Sequence, residues 1–125
     1  MVKIKLPEQT DVEFSTRIVP DDMEPRGNVM ASGDEAADRL AEDEVFRQLH
    51  SGNVAAWCGI VVHAEWRGFK GVASIWNCSG ETEEALLSSC SDYVEALQSE
   101  AFDDLCRAVS SSIANVADRL TCEEP

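Results

Sequence analysis

From Val54 to Trp66 the even-numbered positions read Val, Ala, Cys, Ile, Val, Ala and Trp, an unbroken apolar row with a period of two. The odd positions between them read Ala, Trp, Gly, Val, His and Glu, a mixed set. Side chains alternate across a strand, so this pattern predicts a β-strand with one buried and one partly exposed face. Arg67-Gly68-Phe69-Lys70-Gly71 reads as a turn carrying two glycines. Val72 to Trp76 reads as the returning strand of a hairpin, broken by Asn77-Cys78-Ser79-Gly80.

The flanking segments switch to helical periodicity. Residues 34–49 contain neither Gly nor Pro, and Ala37, Leu40, Ala41 and Val45 fall on one side. Ser32 or Asp34 caps this helix, and Gly52 with Asn53 ends it. Phe46 and Leu49 sit off the stripe and suit a second neighbour. After Gly80 there is no further glycine, and no proline until the last residue. The run Ser88-Ser89-Cys90-Ser91-Asp92 is a weak point that divides a short helix, about 82–88, from a long one, about 91–120, with a single bent helix as the alternative. On the long helix Val94, Leu97, Ala101, Leu105 and Ala108 form one stripe. Phe102, Val109, Ile113, Ala117 and Leu120 form a second. Upstream, residues 2–6 alternate apolar and basic as a short edge strand does. Pro7 to Ser32 reads as a loop-rich arm in which Val12 to Val19 adds a strand.

These elements predict an α+β fold. An N-terminal strand and arm (residues 1–32) lead to an acidic helix, then an antiparallel β-hairpin forming a small sheet, then a long C-terminal helix packed on that sheet. The 125 residues suit a single domain able to bury a core without staples.

Composition narrows the function. The chain holds 24 acidic and 10 basic side chains, a net charge of −14. That excess disfavours direct binding to nucleic acid or to anionic membrane surfaces. At 44% hydrophobic residues the chain is too apolar for a disordered acidic tail. No apolar run approaches the roughly 18 residues of a membrane span, and no signal peptide is read at the start. The charge is segregated, because residues 51–80 hold only Glu65 against Arg67 and Lys70, whereas both flanking regions are strongly acidic. Glu35, Asp38 and Glu42 share a face of the first helix, and Asp92, Glu100, Asp103 and Asp118 project from the long one. Such a surface either solubilises the chain or receives a basic partner.

Reaction chemistry is sparse. There is no nucleophile elbow, phosphate-binding loop, dinucleotide fingerprint or metalloprotease motif. Cys58, Cys78, Cys90, Cys106 and Cys122 are odd in number and lack C-x-x-C spacing, so they read as reduced thiols in a cytoplasmic protein. Cys58 and Cys78 are the one pair placed to face each other across the hairpin. The sequence calls for no catalytic residue, metal or cofactor. Three tryptophans lie on the hairpin. Trp66 belongs to its apolar face and Trp57 to the opposite face, where it is either an interface anchor or covered by the N-terminal arm. Trp76 has no assigned face.

The segment Arg26-Gly27-Asn28-Val29-Met30-Ala31-Ser32-Gly33-Asp34, the acidic helix after it, the run A-A-W-C-G-I-V-V-H-A-E-W-R-G-F-K-G at residues 55–71 and Cys78-Ser79 resemble a recurring group of small acidic proteins of phages and mobile elements. The resemblance spans Arg26 to Ser79, with a weaker match over Tyr93 to Leu105. The chain departs from the group's pattern at Ile75-Trp76-Asn77, where a Leu-Gly step is usual, and in its longer C-terminal helix. The resemblance implies a context: small acidic proteins of this origin include anti-CRISPR inhibitors that occupy basic nucleic-acid channels. The expected function is therefore a non-enzymatic inhibitor of a host defence effector, a basic protein or ribonucleoprotein. Glu35, Asp38, Glu42, Asp92, Glu100, Asp103, Asp118 and Trp57 are the candidate contacts. An acidic adaptor that binds another phage protein through an exposed Trp is the alternative. The second apolar stripe of the long helix further predicts a homodimer through Phe102, Ile113 and Leu120.

Overall fold

The hairpin organises the molecule. A computed structural model describes residues 5–30 and 32–122, and in it β1 (Glu13–Pro20), β2 (Cys58–Trp66) and β3 (Phe69–Cys78) form an antiparallel sheet in the order β1-β2-β3. Trp66 pairs with Phe69, so the loop is only Arg67-Gly68. Both residues have positive φ, 49° and 84°. That is the signature of a two-residue primed turn, whose twist matches that of the strands. The five-residue turn expected from the two glycines is thus too long, because Phe69, Lys70 and Gly71 belong to β3.

Gly71 serves close packing instead. A Cβ there would lie 2.1 Å from the Ala101 carbonyl oxygen and 2.5 Å from the Leu105 nitrogen, so a helix backbone rests directly on this strand. The strand expected from Val54 begins later as well. Val54–Ala56 is a 3-10 turn, and the Ala55 carbonyl accepts a 2.8 Å hydrogen bond from the Gly80 N–H, which ties the two ends of the hairpin together.

The first helix, α1 (Glu35–His50), is capped by Asp34, whose carboxylate accepts from the Ala36 and Ala37 N–H groups. It ends at Gly52 in the left-handed region, φ 93°. Its buried side differs from the expected stripe: Leu40 is 71% exposed, whereas Glu42 and Val45 are buried. The N-terminal arm claims the Glu42 side of α1, and the helix packs on the Val54–Ala56 turn.

Two helices complete the chain, α2 (Glu83–Ser89), capped by Thr82, and α3 (Ser91–Cys122), with the break at Cys90. Leu97, Ala101, Leu105 and Val109 of α3 are buried, and α3 packs on β3 and β2. The even-numbered β2 residues Cys58, Ile60, Val62 and Ala64 are at most 1% exposed beneath it. Phe14 and Ile18 of β1 and Ile75 of β3 extend this core.

At 32 residues α3 is roughly 48 Å long, against roughly 30 Å for the strands, so its C-terminal part overhangs the sheet. Val116 on the overhang is 54% exposed. Phe102, expected at a dimer interface, packs against the domain's own core, and Ile113 is half-buried. The side chain of Leu120 lies outside the described residues, as do residues 1–4 of the edge strand expected over 2–6. Lys5 and Leu6 form no strand. No described helix is long and apolar enough to cross a membrane.

Candidate functional site

The exposed acids of α3 form the most coherent charged surface. The apolar residues Leu97, Ala101 and Leu105 turn one side of the helix to the sheet, and helical geometry places Asp92, Glu95, Glu100 and Asp103 on the other. All four are exposed. From Asp92 to Asp103 the row rises roughly 16 Å along the axis. Glu83 and Glu84 open α2 close by in the chain and are exposed too. Arg107 is the one base of α3 with a described side chain, and it pairs with Asp104 at 3.5 Å. The side chain of Asp118 lies outside the described residues.

Asp104 has a separate task that sequence periodicity does not reveal. Its Oδ2 accepts a 3.0 Å hydrogen bond from the Val72 N–H on β3. The carboxylate thereby satisfies an outward-facing strand donor and fixes α3 to the sheet edge.

The candidate acids of α1 are mostly engaged within the protein. Glu42 is 7% exposed and accepts from Arg26 Nη1 at 3.1 Å and from the Gly27 N–H at 3.0 Å. It is a structural residue, which removes it from the contact surface expected for it. Arg26 also bonds Asp43 at 2.8 Å, and its guanidinium lies 4.9 Å above the Phe46 ring. The hydrogen bonds to Glu42 and then to Asp43 hold the Arg26 proton and raise its pKa above the ordinary guanidinium value. Asp38 accepts from the Ser32 N–H at 3.1 Å and hydroxyl at 2.7 Å, closing the start of the helix. Glu44 accepts from Arg47 and Gln48, which hold its carboxyl at about 2, below the usual carboxylate range. Only Glu35 of the three expected contacts on α1 remains exposed and without such a partner among the described residues.

The tryptophans exchange the roles that an anchor reading assigns. Trp57 is 3% exposed, and its indole N–H donates to the Met23 carbonyl at 2.8 Å. The N-terminal arm covers it, so Trp57 is not an exposed anchor. Trp76 is the exposed one, at 47%. Its ring lies over Gly59, where any Cβ would approach Cε3 to 2.3 Å. Trp66 is half-buried and stacks on Phe69 with 6.3 Å between ring centres.

Cys58, Cys78, Cys90 and Cys106 are free thiols. Cys58 and Cys78 are register partners across β2 and β3. Burial, with a smaller contribution from Cys78, pushes the Cys58 thiol up to about 11, which disfavours the thiolate that nucleophilic attack requires. Among the described residues no three His, Cys, Asp or Glu side chains are placed to hold a metal ion.

No family model, curated protein or solved structure matches the chain.

Proposed function

We propose that the protein is a non-enzymatic inhibitor that binds a basic, nucleic-acid-handling surface of a host defence complex, in the manner of an anti-CRISPR protein. The observation that carries this reading is the row of exposed carboxylates along α3, held by a helix whose opposite side is packed on the sheet. A packed helix of this kind presents four anionic groups over about three turns without the ordering cost of a flexible acidic tail. Lysines and arginines that normally contact phosphates are its natural partners.

The test is the triple reversal Asp92→Lys, Glu100→Lys and Asp103→Lys. All three positions are exposed, so the fold is expected to survive. Binding to a purified effector complex is expected to fall at least 100-fold, and wild-type affinity to drop steeply as salt rises. Salt-independent binding with an active triple variant refutes the reading. The exposed Trp76 supports a second reading, an acidic adaptor anchored on another phage protein through the sheet. Under that reading Trp76→Ala abolishes binding and the triple reversal does not.

A further inference from the structure

The sheet has a second face; among the described residues no helix packs across it, and the N-terminal arm covers Trp57 at one end of it. Alternation and register place Glu13, Arg17 and Val19 of β1, Val61, His63 and Glu65 of β2, and Lys70, Val72 and Trp76 of β3 on this side. Val72 is 50% exposed and Trp76 47%, beside the buried Val61. Next to Val72, at the end of the strands away from Trp76, Glu13, Ser15, His63, Glu65 and Lys70 line a groove of about 440 Å³. The formal charges here cancel, with Glu13 and Glu65 against Arg17 and Lys70, although the whole chain carries −14. We infer that this face is the self-association surface of the protein, and that its occupant is the same face of a second copy.

Charge and geometry select both the occupant and its orientation. Two chains of −14 repel, and a neutral face is where they approach at least cost, with both α3 acid rows pointing outward. Facing sheets pack with their strands nearly aligned, about 10 Å apart. A two-fold axis running along β2 lays β1 of one copy over β3 of the other. Glu13, Glu65 and Lys70 form one cross-strand row, so Glu13 then meets the partner's Lys70 and Lys70 the partner's Glu13, two opposite-charge pairs that flank and offset the like-charge meeting of the two Glu65 carboxylates on the axis. At the other end Val19 meets the partner's Trp76. An axis across the strands instead sets the carboxylates of Glu13 and Glu65 over the apolar Val19 and Trp76 end, which costs desolvation without pairing. Three strands about 4.8 Å apart and about 27 Å long give a face of roughly 400 Å², which with side-chain relief brings the total buried area near the 1,000 Å² lower bound of specific interfaces. An interface of that size belongs to the weak, transient end of the specific range. The inference is independent of the role proposed for α3, because the two surfaces lie on opposite sides of the molecule.

Sedimentation velocity from low micromolar to about 200 μM protein tests it. The expected result is a concentration-dependent shift from 13.7 kDa to twice that mass. Val72→Lys is expected to weaken the dimer at least tenfold, with an unchanged circular dichroism spectrum. Glu13→Lys and Lys70→Glu are each expected to weaken it several-fold, and the double variant to recover it, because the swap restores the intermolecular pair. A monomer throughout the range overturns the inference. So does a dimer that tolerates Val72→Lys but is lost in Val116→Asp, which places the contact on the overhang of α3. Failure of the double swap to recover the dimer overturns the orientation along β2.

Discussion

Replacing Gly71 by alanine is expected to cost far more than the same change at Gly59. Neither glycine has a positive φ, so space rather than backbone conformation decides both cases. At Gly71 the new Cβ meets backbone, the Ala101 carbonyl at 2.1 Å and the Leu105 nitrogen at 2.5 Å. Backbone cannot swing aside, so relief to an ordinary 3.4 Å contact requires α3 to rise by about 1.3 Å. A gap of 0.5–1 Å already forfeits a quarter to a half of the dispersion attraction across an interface. Leu97, Ala101 and Leu105 all contribute buried contacts there. We expect a loss of about 3 kcal/mol, the upper end for overpacking, and a fall in Tm of about 10 °C for a domain of this size. At Gly59 the Cβ meets the ring of Trp76, a half-exposed side chain that can rotate into solvent. The clash is relieved locally, and the lower entropy of an unfolded alanine offsets part of the cost, leaving a change of about 1 kcal/mol or less. Urea unfolding of the two variants, with fluorescence and circular dichroism followed together, measures both values. A Gly71→Ala variant within 1 kcal/mol of wild type would falsify the close approach of α3, as would a greater loss at Gly59.

Two further outcomes follow from the ion pairs of α1. Arg26→Ala leaves Glu42 buried with the Gly27 N–H as its remaining donor, so a clear loss of stability is expected, larger than that of Arg39→Ala on an exposed position; equal losses in denaturant unfolding contradict the Glu42 contact. Glu44 is held near 2 in the folded chain by Arg47 and Gln48, below its ordinary 4.5, so its contribution to stability is complete above about pH 4.5 and disappears as pH falls through about 2. Because the pair is exposed, that contribution is small, and the direct check is the carboxyl titration of Glu44 by NMR. A midpoint near 4.5 with Arg47 present contradicts the pairing, whereas the same midpoint in Arg47→Ala is the expected result.

Much of the fold is legible because it rests on local patterns. The period-two row from Cys58 to Ala64 is the buried face of β2, Asp34 is the cap of α1, and the Ser-rich stretch around Cys90 is the break between α2 and α3. The same helical period that puts Leu97, Ala101 and Leu105 on the sheet puts Asp92, Glu100 and Asp103 in solvent, so the α3 part of the candidate site was legible too. Each of these depends on neighbours within about one turn or one strand pair, where spacing and side-chain type set the outcome.

Periodicity along α1 cannot distinguish a solvated carboxylate from one that meets a guanidinium 16 residues upstream, as Glu42 meets Arg26. Nothing near Trp57 in the chain announces that the Met23 carbonyl, 34 residues away, receives its indole N–H and that the arm covers the ring. Asp104 looks like any other acid of α3, yet it caps a donor of β3 across 32 residues. Gly71 sits in a glycine-rich stretch that reads as a turn, and only the docked helix above it makes it a packing residue. An isolated residue's chemistry states what it can bond or bury. Whether it meets water, a cation or a backbone atom depends on segments brought together by burial of the shared core, so that choice belongs to the tertiary structure.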